Sequence, residues 1–226
     1  TYITEKGMIK LGKAGFIRPE LMQGKRVTIL GKKRVTGVMG ILLKDGQVRT
    51  DAALTEMYVD CGFRSEKEAA EWITPGDFVT YTYTYDLLEN NCIAGRGLDD
   101  KLGVFTVMQA LLRAKELGAA VGAYAGATVG EETTMRGAYF AAMRVKPAIA
   151  IAVDVIHTSD YPGSEAERFG RIELGGGPVL VRSACSNEPH SPSEVGCLSD
   201  VENCVELLAR FIAGLDQSFS PDPFLG

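Results

Sequence analysis

The sequence predicts an α/β fold in which a mixed sheet is sandwiched by helices, together with a small β-barrel domain. Residues 1–86 contain short strand-like runs separated by glycine turns, which is typical of a small all-β domain. Residues 87–226 alternate apolar strand-like runs with amphipathic helices, which is typical of a sheet covered by helices. We therefore predict two domains, with the boundary near Asp86.

The β domain begins with three strand-like runs, at residues 7–11, 25–30 and 34–43. Ser65 and Glu68 have the spacing of a capping box, which predicts a short helix through Trp72. Residues 77–85 then alternate threonine with aromatic side chains, which predicts a strand with two different faces. We interpret this strand as part of the wall of a packed barrel.

The second part of the chain alternates helices and strands. Apolar residues at helical spacing between residues 101 and 117 predict a helix with one buried face. The small residues 119–130 and the apolar run 148–153 predict two strands of a covered sheet, separated by another helix. Ser199 and Glu202 form a second capping box, which predicts the start of a final helix.

Acidic residues stand where these predicted strands end. They are Asp99 and Asp100 before the first long helix, Glu131 and Glu132 after the small residues, and Asp154 after the apolar run. In an open α/β sheet, ligands bind in the crevice beyond the carboxyl ends of the strands. Carboxylates that meet there repel each other unless cations lie between them. The pattern predicts a metal centre of two ions, although each acidic site taken alone is more often a solvated turn or a helix cap.

His190 adds an imidazole to the candidate ligands. A mixed carboxylate and imidazole set suits zinc, cobalt or manganese better than calcium. Neighbouring residues of an extended backbone point to opposite sides, so Glu131 and Glu132 are expected to differ in role. One can bind metal while the other takes a proton from an acidified water, which is hydrolytic chemistry.

Four segments resemble, in order, the motifs of the M42 family of metallo-aminopeptidases, which includes the glutamyl aminopeptidases and the tetrahedral TET peptidases. Gly95 to Gly103 is similar to the family's Ala-Leu-Asp-Asp-Arg motif, and Val129 to Ala138 to its Glu-Glu-Val-Gly-Leu-Arg-Gly-Ala block. Asp154 to Gly163 is similar to its Asp-Val-Thr block, and His190 to Val195 to its late His-Ser-Pro-x-Glu motif. The resemblance covers nearly the whole chain.

The resemblance implies a co-catalytic centre with two divalent metal ions, zinc or cobalt before manganese. Its metal ligands would be Asp99, Glu132, Asp154 and His190. Asp99 would bridge the two ions, and Glu131 would be the general base. Asp100 and Lys101 would shape the turn rather than bind metal.

The resemblance also implies how the domains are used. Residues 87–226 would form a phosphorylase/hydrolase-like catalytic domain. Residues 1–86 would form a PDZ-like β-barrel domain that is inserted into it and mediates dimerisation. Dimers would group into a hollow dodecamer, whose enclosed active sites admit short peptides and unfolded chains.

Two features depart from the family pattern. The family has a His-x-Asp motif near its N-terminus, but the only histidines of this chain are His157 and His190, and neither precedes Asp99. In addition, only residues 179–189 separate a glycine-rich turn from His190, where the family has a longer stretch. We expect that the sequence lacks an N-terminal and an internal segment of the protein. A genuinely shortened and catalytically impaired relative is the alternative.

The composition limits the classes of binding partner and the cellular location that we expect for this protein. A formal net charge of −5 is modest and argues against a nucleic-acid surface. No apolar run approaches the roughly 20 residues that a membrane-spanning helix needs. The five cysteines are odd in number and form no Cys-x-x-Cys pair, which favours free thiols in a reducing compartment and therefore a cytoplasmic location.

The predicted function is the removal of N-terminal residues from peptides through attack by a metal-activated water. Two alternatives stay open. The absent upstream histidine motivates a non-catalytic assembly or binding subunit of the same fold. Paired carboxylates can also cleave glycosidic bonds, but they must then flank the bond at a set separation, and a third carboxylate with His190 fits a metal site better.

Overall fold

A computed structural model of the protein describes residues 2–12, 18–82, 85–164, 166–180, 194–216 and 218–220. The described chain forms two compact units. We call residues 2–85 the β unit, and residues 86–180 with 195–220 the α/β unit. The division therefore lies between Tyr85 and Asp86. The roles of the two units as assembly domain and catalytic domain stay predictions.

The described part of the β unit contains seven strands. They are β1 (Ile9–Lys10), β2 (Arg26–Leu30), β3 (Arg34–Met39), β4 (Leu43–Lys44), β5 (Gln47–Val48), β6 (Tyr58–Asp60) and β7 (Phe78–Tyr81). The connections carry two short 3-10 helices, Pro19–Leu21 and Leu54–Glu56, and the helix α1 (Glu66–Ala70). Five strands pair antiparallel in the order β1-β6-β3-β2-β7, while β4 and β5 pair with each other.

The predicted closure of these strands into a β-barrel is not confirmed. In the described residues, β1 and β7 lie at the two edges of the five-stranded sheet, and β4 with β5 forms a separate ladder. Alternation along a strand predicts which side chains face inwards, but it does not predict which strands pair with each other. The sequence pattern therefore located the strands β2 and β3 without determining whether the sheet closes.

The core of the β unit lies on one face of this sheet. Along β2, Val27 and Ile29 are 1% and 0% exposed, whereas Arg26 and Leu30 at the ends are exposed. This period of two is the one expected for a strand with one buried face. Burying a side chain of this size contributes about 1.5–3 kcal/mol.

Helix α1 closes one side of that core and begins where the sequence predicts. Ser65 is its N-cap, and Ser65 Oγ accepts a hydrogen bond from Glu68 N at 3.2 Å. Glu68 Oε2 in turn accepts from Arg64 N at 2.9 Å. Because these bonds satisfy amides at the helix start, the fully buried Ala69 is held against the core cluster.

A pair of substitutions in β2 tests this assignment of the two faces. We expect Ile29→Ala to lower the free energy of unfolding by about 2–4 kcal/mol, because it leaves a cavity in a packed core. Leu30→Ala in the next position removes a side chain that is 42% exposed and should change stability by less than about 1 kcal/mol. Urea denaturation of both variants measures the difference. Equal losses would contradict the one-faced core.

The described α/β unit contains the strands β8 (Asp86–Leu88), β9 (Cys92–Gly95) and β10 (Glu194–Cys197), paired in the order β10-β9-β8. Its helices are α2 (Leu98–Glu116), α3 (Arg136–Val145), α4 (Ala166–Phe169) and α5 (Leu198–Gly214). The helix predicted at residues 101–117 is confirmed as α2. Helix α5 begins before the predicted capping box, because Cys197 rather than Ser199 is its N-cap.

Helices α2 and α5 pack against each other. The buried residues of α2 are small and recur at spacings of three and four: they are Gly103, Thr106, Ala110 and Ala114. On α5, Ala209 is fully buried. Small residues at helical spacing allow two helix backbones to approach closely. At the edge of the contact, Arg113 Nε donates to Glu206 Oε2 at 3.2 Å.

Two strands predicted for this unit are not found. Residues 119–129 and 148–157 carry no regular strand in the structure, and most of them are exposed. An apolar run of this kind becomes a strand only when neighbouring strands supply hydrogen bonds and helices cover its faces. The α/β character of the chain is confirmed, but its described sheets are antiparallel where their pairings are defined.

Candidate metal centre

The acidic pair Asp99 and Asp100 lies in the turn from β9 into α2. Gly97 precedes it with a φ of 69°, a left-handed conformation that glycine adopts without strain. Asp99 has φ −83° and ψ 108°, and Asp100 has φ −118° and ψ 54°, so regular helix begins only after them. Lys101 Nζ donates back across the turn to Arg96 O at 3.2 Å.

Asp100 caps the helix that follows. Asp100 Oδ1 accepts a hydrogen bond from Gly103 N at 2.8 Å, which satisfies one of the amides that a helix start leaves without an internal partner. The bond agrees with the prediction that Asp100 shapes the turn. Gly103 itself was missed in the sequence, although its position three residues after an aspartate is the spacing of an N-cap.

Glycine is required at position 103 by this contact. A Cβ built on Gly103 would lie 2.7 Å from Asp100 Cγ and closer still to both carboxylate oxygens. Any side chain there would have to displace the Asp100 carboxylate from the helix N-terminus. Since Asp99 is the preceding residue, the position of the first candidate metal ligand depends on a residue without a side chain.

The pKa of the Asp100 carboxyl group depends on burial and on other acidic residues. This pKa is raised to about 6, first by burial and then by the negative charges of Asp154, Asp99 and Glu131, while the Gly103 hydrogen bond opposes the rise. These three acids come from three different segments of the chain. Asp99, Glu131 and Asp154 thus interact electrostatically with Asp100, whereas the predicted convergence of the acids on a metal site stays a prediction.

Glu131 lies in a tight turn that precedes α3. Gly130 has a φ of 76°, and Gly130 O accepts hydrogen bonds from Thr134 N at 2.9 Å and Met135 N at 2.8 Å. Gly137 N then donates to Val129 O at 3.2 Å, and a Cβ on Gly137 would lie 2.6 Å from Val129 N. The start of α3 is thus held against the segment that leads into the glutamate pair.

Asp154 follows the apolar run and is exposed. Its Oδ1 accepts a hydrogen bond from Val155 N at 2.8 Å, which leaves the second carboxylate oxygen available to another partner. Glu132 is likewise exposed. His190 lies outside the described residues, and its predicted position near Asp99 stays a prediction.

The donor chemistry of the cluster suits a divalent cation. Carboxylate oxygens are hard ligands. The pKa of Asp100 is raised first by burial and then by neighbouring negative charges, and a cation would offset those charges. Within the described residues, however, no three side chains of His, Cys, Asp or Glu are close enough together to hold one metal ion. The ligand roles of Asp99, Glu132, Asp154 and His190, and the base role of Glu131, therefore stay predictions.

The glycine-rich segment after this region is a structural turn. Asp200 on α5 accepts hydrogen bonds from Gly175 N at 2.8 Å and from Gly177 N at 2.7 Å. The Asp200 carboxylate therefore occupies both of these backbone amides. The interpretation of the segment as a turn is confirmed. The role of Asp200 was missed, because nothing local in the sequence links residues 25 positions apart.

Comparison with known proteins gives the family. The M42 glutamyl aminopeptidase family matches residues 1–184. The chain belongs to this family. It is 32% identical over 182 residues to a putative aminopeptidase from Acetivibrio thermocellus, a match that covers 80% of this chain and 52% of that relative. The chain therefore spans about half the length of this M42 relative.

Solved structures show the same fold. The aminopeptidase APDkam598 from the archaeon Desulfurococcus kamchatkensis matches with a TM-score of 0.80 at 23% identity, over 95% of this chain and 75% of that chain. The TET1 peptidase of Pyrococcus horikoshii, which can assemble into a tetrahedron or a large octahedral shell, matches with a TM-score of 0.70 at 22% identity, over 95% and 79%. Among the described residues of this M42 chain, no helix is long and apolar enough to cross a membrane.

Substitution of Gly103 tests how the acidic turn is built. Gly103→Ala should lower the free energy of unfolding by about 1–3 kcal/mol, because it displaces the Asp100 cap and overpacks the turn. Gly122→Ala is the matched control, since a Cβ there meets nothing within 4 Å, and it should be nearly neutral. Thermal or urea unfolding of both variants gives the comparison. A neutral Gly103→Ala would show that the Asp100 bond is dispensable.

Proposed function

We propose that this protein is a metal-dependent aminopeptidase that removes N-terminal residues from peptides. The observation that carries the proposal is that the charges of Asp99, Glu131 and Asp154, which come from three segments of the chain, add to burial in raising the pKa of Asp100. Carboxyl groups with perturbed pKa values are found most often at functional sites. Membership of the M42 family supports the choice of peptide hydrolysis.

Two divalent ions would be held by Asp99, Glu132, Asp154 and His190, with Asp99 between them. Zinc or cobalt suits this carboxylate and imidazole set best, and manganese is also compatible with it. When bound, the ions would supply the positive charge that acidifies a water molecule and polarises a carbonyl group. The same charge would relieve the repulsion that now raises the pKa of Asp100.

Glu131 is the residue to which we assign proton transfer. Its carboxylate takes a proton from the attacking water and later donates it to the amine that leaves as the peptide bond breaks. The charge of Glu131 contributes to the raised pKa of Asp100, which supports a position for Glu131 near the acidic turn. Asp100 does not transfer protons in this scheme, because its Oδ1 is committed to Gly103 N and its role is to hold the turn.

Substitutions at two neighbouring residues distinguish the proposed base, Glu131, from the proposed metal ligand, Glu132. With the full-length protein, Glu131→Gln should reduce peptide hydrolysis by about 10²–10⁴-fold while leaving metal content nearly intact, since it removes a base. Glu132→Gln should reduce metal content itself. Hydrolysis of aminoacyl chromogenic substrates and elemental analysis of the dialysed proteins give both readouts. Equal metal loss in the two variants would refute the division of roles, and full activity of Glu131→Gln would refute the base.

We also propose that the protein is a soluble cytoplasmic homo-oligomer assembled through the β unit. The β unit exposes large apolar side chains: Ile41, Leu43, Val48 and Phe78 are 51%, 61%, 52% and 71% exposed. Leu43 and Val48 are paired neighbours on β4 and β5, and contiguous exposed apolar side chains often mark an interaction surface. Assembly of the Pyrococcus horikoshii peptidase into closed shells supports dimers that group into a larger particle.

Light scattering on the full-length protein tests the assembly. We expect a mass that is a multiple of the single chain, and we expect Leu43→Asp to reduce it, because a charge would be buried in the interface. Lys44→Asp, at the neighbouring exposed position of β4, is the control and should leave the mass higher than Leu43→Asp does. A wild-type protein that is monomeric at micromolar concentration and fully active would contradict assembly as a requirement.

A further inference from the structure

Two cysteines of the α/β unit lie opposite each other on neighbouring strands. Leu198 N donates to Asn91 O at 3.0 Å, and a Cβ built on Gly196 would lie 4.0 Å from Ile93 Cγ2. Residues further along β9 therefore lie opposite residues earlier in β10, so the two strands run antiparallel. In that register, Cys92 of β9 faces Cys197 of β10.

The backbone geometry suits a covalent link between these residues. Because Asn91 and Leu198 share a hydrogen bond, Cys92 and Cys197 occupy the adjacent pair without one, where Cα atoms in antiparallel sheets lie about 4.5 Å apart. Disulfides span Cα separations of roughly 4.4–6.8 Å. The two sulfur atoms can therefore bond without rearrangement of the strands. Both cysteines are free thiols in the structure.

The two thiols differ in environment. Cys197 is 5% exposed, and its Sγ lies 2.9 Å from Ser199 Oγ, a contact that lowers the pKa of the Cys197 thiol. Cys92 is half-buried, and its thiol pKa is raised by burial and by the neighbouring Cys197. The more accessible sulfur thus lies beside one that is more readily ionised.

The remaining described cysteines lack such a partner arrangement. Cys61 belongs to the β unit, and burial raises the pKa of its thiol to about 11. Cys204 lies within α5, where burial also raises its thiol pKa. Neither cysteine lies on β9 or β10, so both serve as internal comparisons for the pair on those strands.

We propose that Cys92 and Cys197 form a reversible redox pair, which closes to an intramolecular disulfide by exchange with a small-molecule disulfide such as oxidised glutathione. The accessible Cys92 loses its proton and attacks one sulfur of the small disulfide, giving a mixed disulfide and one small thiol. The Cys197 thiolate then attacks Cys92 Sγ and displaces the second small thiol. Two protein thiols are oxidised and the small disulfide is reduced to two thiols.

The bond would join two segments that lead to the candidate site. β9 runs through Gly95 into the turn that carries Asp99, and β10 runs directly into α5. A disulfide at this point would fix the strand that precedes the acidic turn. Thiol-disulfide exchange of this kind is reversible, which is compatible with the transient, redox-sensing disulfides that occur in reducing compartments.

Mass spectrometry on the full-length protein tests the pair. The reduced protein is equilibrated with oxidised glutathione, free thiols are alkylated, and the protein is digested after glutamate. Cleavage at Glu89, Glu116, Glu194 and Glu202 isolates Cys92 and Cys197 on separate peptides, 90–116 and 195–202. We expect these two peptides to be linked without a bound glutathione. Cys185→Ser and Cys204→Ser should retain the link, whereas Cys92→Ser and Cys197→Ser should lose it.

Each other outcome counts against the proposal. Alkylation of both Cys92 and Cys197 after equilibration would show that the pair does not close, and a persistent glutathione adduct on Cys92 would show that Cys197 cannot displace it. Loss of the link in Cys185→Ser or Cys204→Ser would assign the disulfide to another pair. Circular dichroism of the four variants confirms that each is folded, so loss of the link cannot be attributed to unfolding.

Discussion

The turn from β9 into α2 is the constraint on which the candidate site depends. Its geometry requires a left-handed glycine at Gly97, a capping carboxylate at Asp100 and the absence of a side chain at Gly103. The Asp100 bond satisfies an amide at the helix N-terminus and commits one oxygen of that carboxylate. The positive end of the helix dipole also lies at this turn and favours negative charge there.

The surroundings of Asp100 disfavour its ionised form. Burial and the charges of Asp154, Asp99 and Glu131 all make the ionised form of Asp100 less favourable, and the helix N-terminus offsets only part of that effect. Structural ion pairs can also shift pKa values, but here the neighbours are of like charge, so they cannot stabilise the fold by attraction. A local conflict of this kind is expected where function, rather than stability, has determined the residues.

Local patterns in the sequence predicted the elements whose stability is local. β2 and β3 follow from alternation with glycine turns, and α2 follows from helical spacing together with a cap. Residues 119–130 and 148–153 were predicted as strands from their small and apolar residues, but a strand within a sheet depends on neighbours that composition cannot specify. The start of α5 was missed for a related reason, since Ser199 contacts the Cys197 thiol rather than serving as the N-cap.

Part of the candidate site could likewise be predicted from local sequence patterns, and part could not. The acids were selected because each follows an apolar or small-residue run, and three of them contribute to the raised pKa of Asp100, while their convergence on a metal site stays a prediction. The residues that support the turns could not be predicted from the sequence. Asp200 accepts hydrogen bonds from Gly175 and Gly177 although it lies on a helix distant in sequence, and Gly103 matters only because it lacks a side chain. Counting cysteines indicated free thiols, but it could not reveal that Cys92 faces Cys197.

Strand β9 contains one cysteine of the proposed redox pair and leads into the acidic turn. It is paired on one side with β8 and on the other with β10, and it ends two residues before the left-handed Gly97. Any change in the pairing of β9 with β10 would therefore be transmitted through a short, tightly bonded turn to Asp99, because Lys101 and Asp100 both fix that turn by hydrogen bonds. A covalent bond between Cys92 and Cys197 acts at the start of this strand and could constrain the acidic turn without touching it.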